Sequence, residues 1–180
     1  MNVLEQLHQD HINLSKLLRI LEDLSDRIDE GERPDFQLMS EIADYIEIYV
    51  KRHHHPREDR MYAFFDGRSM QLDKVMTRCK GEHAGLEATG RSLLEVIDGP
   101  MHDAVVPTGD LVGRLREFID AERAHLDFEE SEVFPKLSAL SSDEDWTALD
   151  HVLPSEDDPL FGQAETDRFI LLGKRMASEA

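Results

Sequence analysis

The sequence repeats one arrangement of side chains that can bind metal ions. In each half of the chain a lone histidine is followed by a second histidine, 43 residues later in one half and 42 in the other, and then by a glutamate four positions on. These residues are His11, His54 and Glu58 in the first half and His83, His125 and Glu129 in the second. Four imidazoles and two carboxylates in a repeated pattern indicate a site for two metal ions.

Four long amphipathic helices are expected to carry these residues. Apolar side chains recur at steps of three and four residues, and glycine or proline separates the periodic segments. Gly99-Pro100 is expected to end the third helix and to open a loop over 99–108. No segment alternates with a period of two, so the chain is predicted to be all-α, an up-down-up-down four-helix bundle. The predicted helices span residues 3–29, 35–65, 70–98 and 109–138.

A short helical extension is predicted after the bundle. Ser142 precedes three acidic residues, which is typical of a helix N-terminus, so a helix is expected over 143–151. A linker over 154–159 and a last helix over 161–177 follow. The chain is therefore divided into a bundle, 1–138, and an extension, 139–180, that packs on the bundle.

Charge and composition exclude several classes of partner. The 180 residues carry a formal net charge of -19, which disfavours binding to nucleic acid or to an anionic membrane. No apolar run is long enough to span a bilayer, and the N-terminus lacks signal-peptide features. A single cysteine, Cys79, excludes an internal disulfide. A cytoplasmic protein, monomer or homodimer, is expected.

Helical spacing turns the six residues towards the bundle axis. His11 and His83 continue the apolar seams of their helices, and residues four apart, such as His54 and Glu58, share a helical face. One such histidine alone would be read as a hydrogen-bonded core residue, but buried carboxylates require compensating charge. The nitrogen and oxygen donors favour two iron ions, with manganese or zinc as alternatives. His53 and His55 are expected on other faces, one of them as a hydrogen-bonding neighbour.

The chain resembles the hemerythrin family, in its bacterial HHE cation-binding branch, over about residues 4–138. The resemblance rests on His11 and on the stretches His54-His55-Pro56-Arg57-Glu58-Asp59, Glu82-His83 and His125-Leu126-Asp127-Phe128-Glu129-Glu130. It implies a non-haem di-iron centre with oxygen-atom and carboxylate bridges. His11, His54, His83 and His125 would be terminal ligands, and Glu58 and Glu129 the bridges.

Two positions differ from the oxygen-carrying members of that family. One turn after the third-helix histidine they have a second histidine, where this chain has Glu87, which is therefore a further candidate ligand. They also have an aspartate five residues after the fourth-helix histidine, where this chain has Glu129 at four and Glu130 at five. The resulting set resembles iron-centre repair and nitric-oxide-response proteins of the family. Glu122 is expected to lie near the centre as a hydrogen-bond acceptor.

Three functions are compatible with these residues. The first is a di-iron protein that binds O2, NO or iron in sensing, iron handling or stress response, without being a dedicated enzyme. The second is a di-metal oxidase or peroxidase. The third is a metal-free helical interaction module, which the repeated ligand pattern disfavours.

Overall fold

Helices account for almost all of the described chain. The computed structural model describes residues 2–101, 105–153, 158, 160–162 and 169–179, and no strand occurs among them. The α-helices are α1 (Val3–Asp29), α2 (Phe36–Tyr49), α3 (His55–Phe65), α4 (Met70–Met101), α5 (Thr108–Phe128), α6 (Phe134–Leu140), α7 (Asp143–Val152) and α8 (Ile170–Glu179).

Two of the long bundle helices are interrupted by a π-helical turn. Val50–His54 is π-helical and joins α2 to α3, and Glu129–Val133 is π-helical and joins α5 to α6. In each case a proline, Pro56 or Pro135, is the second residue of the helix that follows. A proline has no backbone N–H to donate, so each proline interrupts the regular α-helical hydrogen bonding next to its π turn.

The four-helix bundle predicted from the sequence is confirmed. α1 packs against α2 and α5, and α4 packs against the same two helices on the other side. Asn2 begins α1 with a capping box, its side chain accepting from the amide of Glu5, and Asp35 caps α2. Gly31 follows α1 with a φ of 96°, a conformation that favours glycine and ends the helix.

The apolar core is divided into two clusters with a polar layer between them. On α1, Leu7 belongs to one cluster and Leu14 to the other, and His11 lies between them. On the fourth bundle helix, Leu126 belongs to one cluster and Val133 to the other. Each cluster buries leucine, methionine and aromatic side chains, so the helices are held rigidly on both sides of the polar layer.

The end of the third bundle helix was predicted wrongly. α4 continues through Gly99 and Pro100 to Met101 instead of stopping at residue 98. Pro100 is next to the last residue of the helix, so its missing amide removes only one hydrogen bond of the final turn. Residues 105–107 are not helical, and residues 102–104 of the predicted loop lie outside the described chain.

The predicted last helix also began too early. Leu160–Gly162 is a turn, and the helix starts at Ile170. Asp158 explains the turn, because its Oδ1 accepts the backbone amides of both Leu160 and Phe161. Residues 163–168, and all of the predicted linker over 154–159 except Asp158, lie outside the described chain.

The described parts of the C-terminal extension pack on both apolar clusters. Leu149 of α7 and Leu153 are buried with Val3 in one cluster, while Phe169 and Leu172 are buried in the other. Ser142 caps α7 as the sequence predicted, in a capping box with Asp145. Among the described residues, no helix combines the length and the apolar character needed to cross a membrane.

Candidate metal centre

The polar layer between the two clusters contains the six residues singled out in the sequence. Each of the four bundle helices contributes one of the histidines, and the second and fourth helices each add a glutamate. Glu58 and Glu129 have no solvent exposure at all. The six residues, His11, His54, Glu58, His83, His125 and Glu129, are all buried.

One group of potential ligand atoms forms around His11 and His54. Their Nε2 atoms are 3.1 Å apart, and each is close to Glu58 Oε1, at 3.5 Å from His11 and 3.1 Å from His54. Glu129 Oε2 lies 3.4 Å from His11 Nε2. The four side chains each offer one donor atom within 4.8 Å of the others, which is a spacing that a single cation can bridge.

A second group forms around His83 and His125 and shares Glu58 with the first. It contains His55, Glu58, His83 and His125, again with donor atoms within 4.8 Å of one another. Glu58 uses its other oxygen here, since Oε2 is 3.6 Å from His83 Nε2. Glu129 also reaches this group, because its Oε2 lies 3.5 Å from His125 Nε2. Both carboxylates are therefore positioned between the two groups.

His55 is the member of these groups that the sequence analysis placed wrongly. It was expected on another face of the helix, yet it is buried and its ring stacks on His83, with centroids 3.8 Å apart. The π turn accounts for this, because the His55 amide closes it on the carbonyl of Val50, five residues back. Two consecutive residues, His54 and His55, thereby face inward. Pro56, the residue after His55, was the available signal, because a proline inside a predicted helix indicates an irregular turn.

The second π turn shapes the opposite side of the centre in the same way. The Phe134 amide bonds to the carbonyl of Glu129, five residues back, and the consecutive residues Val133 and Phe134 are both buried. The Phe134 ring stacks on His11 at a centroid distance of 5.1 Å. An apolar ring thus limits the space available to the His11 side chain.

Carboxylates outside the centre orient three of the four predicted histidines. Asp10, Glu130 and Glu82 hydrogen-bond to the Nδ1 atoms of His54, His11 and His125 at 3.2, 2.7 and 3.0 Å. Asp59 Oδ1 is 3.5 Å from His83 Nδ1. A carboxylate on one ring nitrogen fixes the ring and leaves the other nitrogen for a metal ion. The pairs that act in this way are Asp10–His54, Glu130–His11 and Glu82–His125, whereas Asp59 lies beside His83 without a hydrogen bond to its Nδ1.

The two groups carry different charge when no cation neutralises them. Burial lowers the pKa of His54, but Glu58 and Asp10 outweigh burial and the resulting pKa is about 9. Burial opposes protonation of His11 as well, yet its hydrogen bonds to Glu129, Glu130 and Glu58 raise its pKa well above the usual value. Protons on these two rings therefore balance the buried carboxylates.

On the other side of the centre, burial lowers the pKa of His83 and lowers that of His55 to about 2. Both imidazoles are therefore neutral near pH 7, which is the form that binds metals. For Glu58, burial alone would raise the pKa, but His54 and His11 outweigh it and hold the pKa well below its usual range. The carboxylate is thus ionised and ready to act as a ligand.

Several polar atoms of the centre are buried without a hydrogen-bond partner, and a cation would satisfy them. Such atoms are rare in folded proteins, because each costs about 1–3 kcal/mol. Nitrogen and carboxylate oxygen are the donors that iron, manganese and zinc accept. The residues therefore fit a metal centre. The atoms are His55 Nδ1, Glu58 Oε1 and Oε2, His83 Nδ1 and Nε2, His125 Nε2 and Glu129 Oε2.

Glu87 and Glu122 lie outside the ligand groups found among the described residues. Glu87 is half-buried and its carboxylate forms an ion pair with Lys51 Nζ at 2.9 Å. Glu122 is buried one helical turn before His125. Burial raises the pKa of Glu122 to about 7.

Tyr62 and Cys79 also approach the centre. The Tyr62 hydroxyl donates to Glu129 Oε1 at 2.5 Å and so holds that carboxylate in place. Cys79 forms a possible ligand group with His125 and Glu129. Burial raises the pKa of the Cys79 thiol, which disfavours the thiolate that a metal would need.

Comparison with known families identifies the bundle. The model of the hemerythrin HHE cation binding domain matches residues 2–137. The chain belongs to the hemerythrin family. No curated protein matches the sequence significantly. The matched range of this hemerythrin-family protein includes both ligand groups and ends before α7 begins.

Proposed function

We propose that this protein is a non-haem di-iron protein. His11 and His54 would hold one iron ion, His83 and His125 the other, and Glu58 and Glu129 would be shared between them. Manganese or zinc can occupy the same donors. The observation that supports two ions rather than one is the overlap of two ligand groups at Glu58, which presents a different oxygen to each.

The iron ions would supply an electron-rich site for a small diatomic ligand, O2 or NO. Such a protein serves in sensing, in iron handling or in the response to stress. The chain's own contribution is to orient the imidazoles, through Asp10, Glu130 and Glu82, and to hold the centre between two rigid apolar clusters.

Metal analysis of protein purified without chelators tests this proposal. The wild type should contain about two irons per chain, as expected for a carboxylate-bridged pair in a helical bundle. His54→Ala removes one ligand from the centre and should lower the iron content. His151→Ala is the matched control, since His151 is exposed on α7. Iron-free wild type that takes up no added iron would refute the proposal.

A second candidate function is a di-metal oxidase or peroxidase. The buried acid Glu122, whose pKa burial raises to about 7, favours it, because a group that titrates near neutrality can give or take a proton. The iron-loaded protein should then turn over hydrogen peroxide, and Glu58→Ala should abolish this turnover. Bleaching of the centre by peroxide without turnover would exclude this function and leave the first.

A further inference from the structure

We propose that His55 is a fifth imidazole ligand, belonging with His83 and His125 to one half of the centre. This inference rests on the proposed function, because it assigns one more residue to the same pair of ions. It would give that half three nitrogen donors, against the two that His11 and His54 provide.

The position of the His55 ring supports its assignment to this half. The ring is parallel to that of His83 within 8°, and it meets the ring of His125 edge-on at a centroid distance of 5.6 Å. One of its nitrogens belongs to the group of donor atoms formed with Glu58, His83 and His125. The ring centroid of His54, in the other half, is further away, at 5.9 Å.

The missing hydrogen bond at one His55 ring nitrogen favours a metal ligand over a residue that only packs. His55 Nδ1 is buried and has no hydrogen-bond partner. In His54, His11 and His125 the same atom is hydrogen-bonded to a carboxylate, which leaves Nε2 for the centre. A histidine kept only for packing would leave a buried nitrogen unsatisfied at a cost that an apolar ring avoids. A cation beside this nitrogen removes the cost.

The local backbone supplies the reason why His55 can reach the centre. In a plain α-helix consecutive residues point about 100° apart, so His54 and His55 would not both face the bundle axis. The π turn Val50–His54 widens the inward face by one residue. π turns are found frequently at functional sites, and this one gives two adjacent imidazoles access to the same polar layer.

His55→Phe is the sharpest variant with which to test this assignment. Phenylalanine keeps an aromatic ring for the stack on His83 but has no nitrogen to donate. His53→Phe is the matched control, because His53 is the neighbouring histidine, is only half-buried and belongs to neither ligand group. Protein stripped by chelator is titrated with Co²⁺, and the number of ions bound, their affinities and the visible spectrum are recorded.

We expect His55→Phe to bind one of the two ions at least about tenfold more weakly, in the range that ligand-supporting residues already produce. Its visible cobalt spectrum should change, whereas His53→Phe should match the wild type. Two ions bound with wild-type affinity and an unchanged spectrum in His55→Phe would overturn the assignment of His55 but leave the di-metal proposal standing. Wild type that binds no metal would defeat both.

A measurement on the wild type gives an answer even if His55→Phe does not fold. In the zinc-loaded protein, which is diamagnetic, nitrogen NMR of the histidine rings distinguishes metal-bound from free ring nitrogens. We expect five rings with a metal-bound nitrogen out of the nine histidines in the chain. Four such rings, those of His11, His54, His83 and His125, would overturn the inference.

Discussion

The buried carboxyl of Glu122 makes the stability of the metal-free protein depend on pH in a direction opposite to that of most acids. Burial raises its pKa in the folded protein to about 7, from a usual value of 4.5. Between these two pH values the folded protein retains a proton that the unfolded chain has released. Stability therefore falls as the pH rises through this window. The magnitude is about 3 kcal/mol, since each pKa unit corresponds to about 1.4 kcal/mol.

Glu122→Gln removes this dependence because an amide does not titrate in the window. The free energy of unfolding of Glu122→Gln minus that of the wild type should increase by about 3 kcal/mol between pH 4.5 and pH 8. Urea unfolding followed by circular dichroism, in chelator, measures both proteins at each pH. Taking the difference cancels the titration of the groups that do not interact with Glu122.

A matched variant controls for the loss of a negative charge. Glu95→Gln makes the same substitution at an exposed position on α4. A difference in the free energy of unfolding that is the same at every pH reflects how well the amide introduced by Glu122→Gln fits its site. Only the part of the difference that changes with pH comes from titration of the Glu122 carboxyl. A difference that stays constant within about 1 kcal/mol from pH 4.5 to 8 would show that burial does not disfavour the charged form of Glu122.

Three further outcomes are expected. Tyr45→Phe should destabilise the protein by about 1–3 kcal/mol, because the Tyr45 hydroxyl donates a hydrogen bond to Asp158 at 2.8 Å. Faster amide hydrogen exchange over 169–176 would show that the loss of stability is local to the C-terminal helix. Gly113→Ala should raise stability by about 1 kcal/mol in thermal unfolding, since nothing lies within 4 Å of the added Cβ in α5. Metal binding at pH 7 should release protons from His11 and His54, because their pKa values are raised in the metal-free protein. The heat of metal binding should therefore differ between buffers of different ionisation enthalpy, and equal heats would contradict this.

The bundle could be predicted from the sequence because its helices have regular apolar seams and recognisable ends. α1 begins at Val3 and ends at Asp29, as its periodicity and Gly31 predicted. α7 begins after Ser142, again as its cap predicted. Local interactions decide such boundaries, so they can be read from short stretches of sequence.

The errors occurred where a distant or irregular contact decides the structure. The turn at 160–162, where a helix was predicted, depends on Asp158, which bonds to Tyr45 more than a hundred residues away as well as to its own turn. No local pattern contains that pairing. The inward position of His55 depends on a π turn, and a search with the period of an α-helix cannot find it.

The sequence predicted the types of ligand in the candidate site better than it predicted which residues belong to the site. The spacing from His54 to Glu58 and from His125 to Glu129 identified pairs that share a face, because each pair spans a single helical turn. Glu87 was chosen because the oxygen-carrying members of the family have a histidine one turn after the third-helix ligand, but its carboxylate lies 2.9 Å from Lys51 Nζ and outside both ligand groups. An exposed cation within reach decides the direction of that side chain, and the resemblance does not include it.

The two π turns keep the ligands in register although each adds one residue to its helix. A π turn holds one more residue than the α-helical turn it replaces, and an α-helix rotates by about 100° per residue. Converting Val50–His54 into regular α-helix with all five residues kept would rotate Glu58 by about that angle relative to α2. Deleting one residue, such as Lys51, at the same time would leave Glu58 facing the centre. Loss of the π turn without loss of a residue is therefore enough to separate the ligands while every ligand is still encoded.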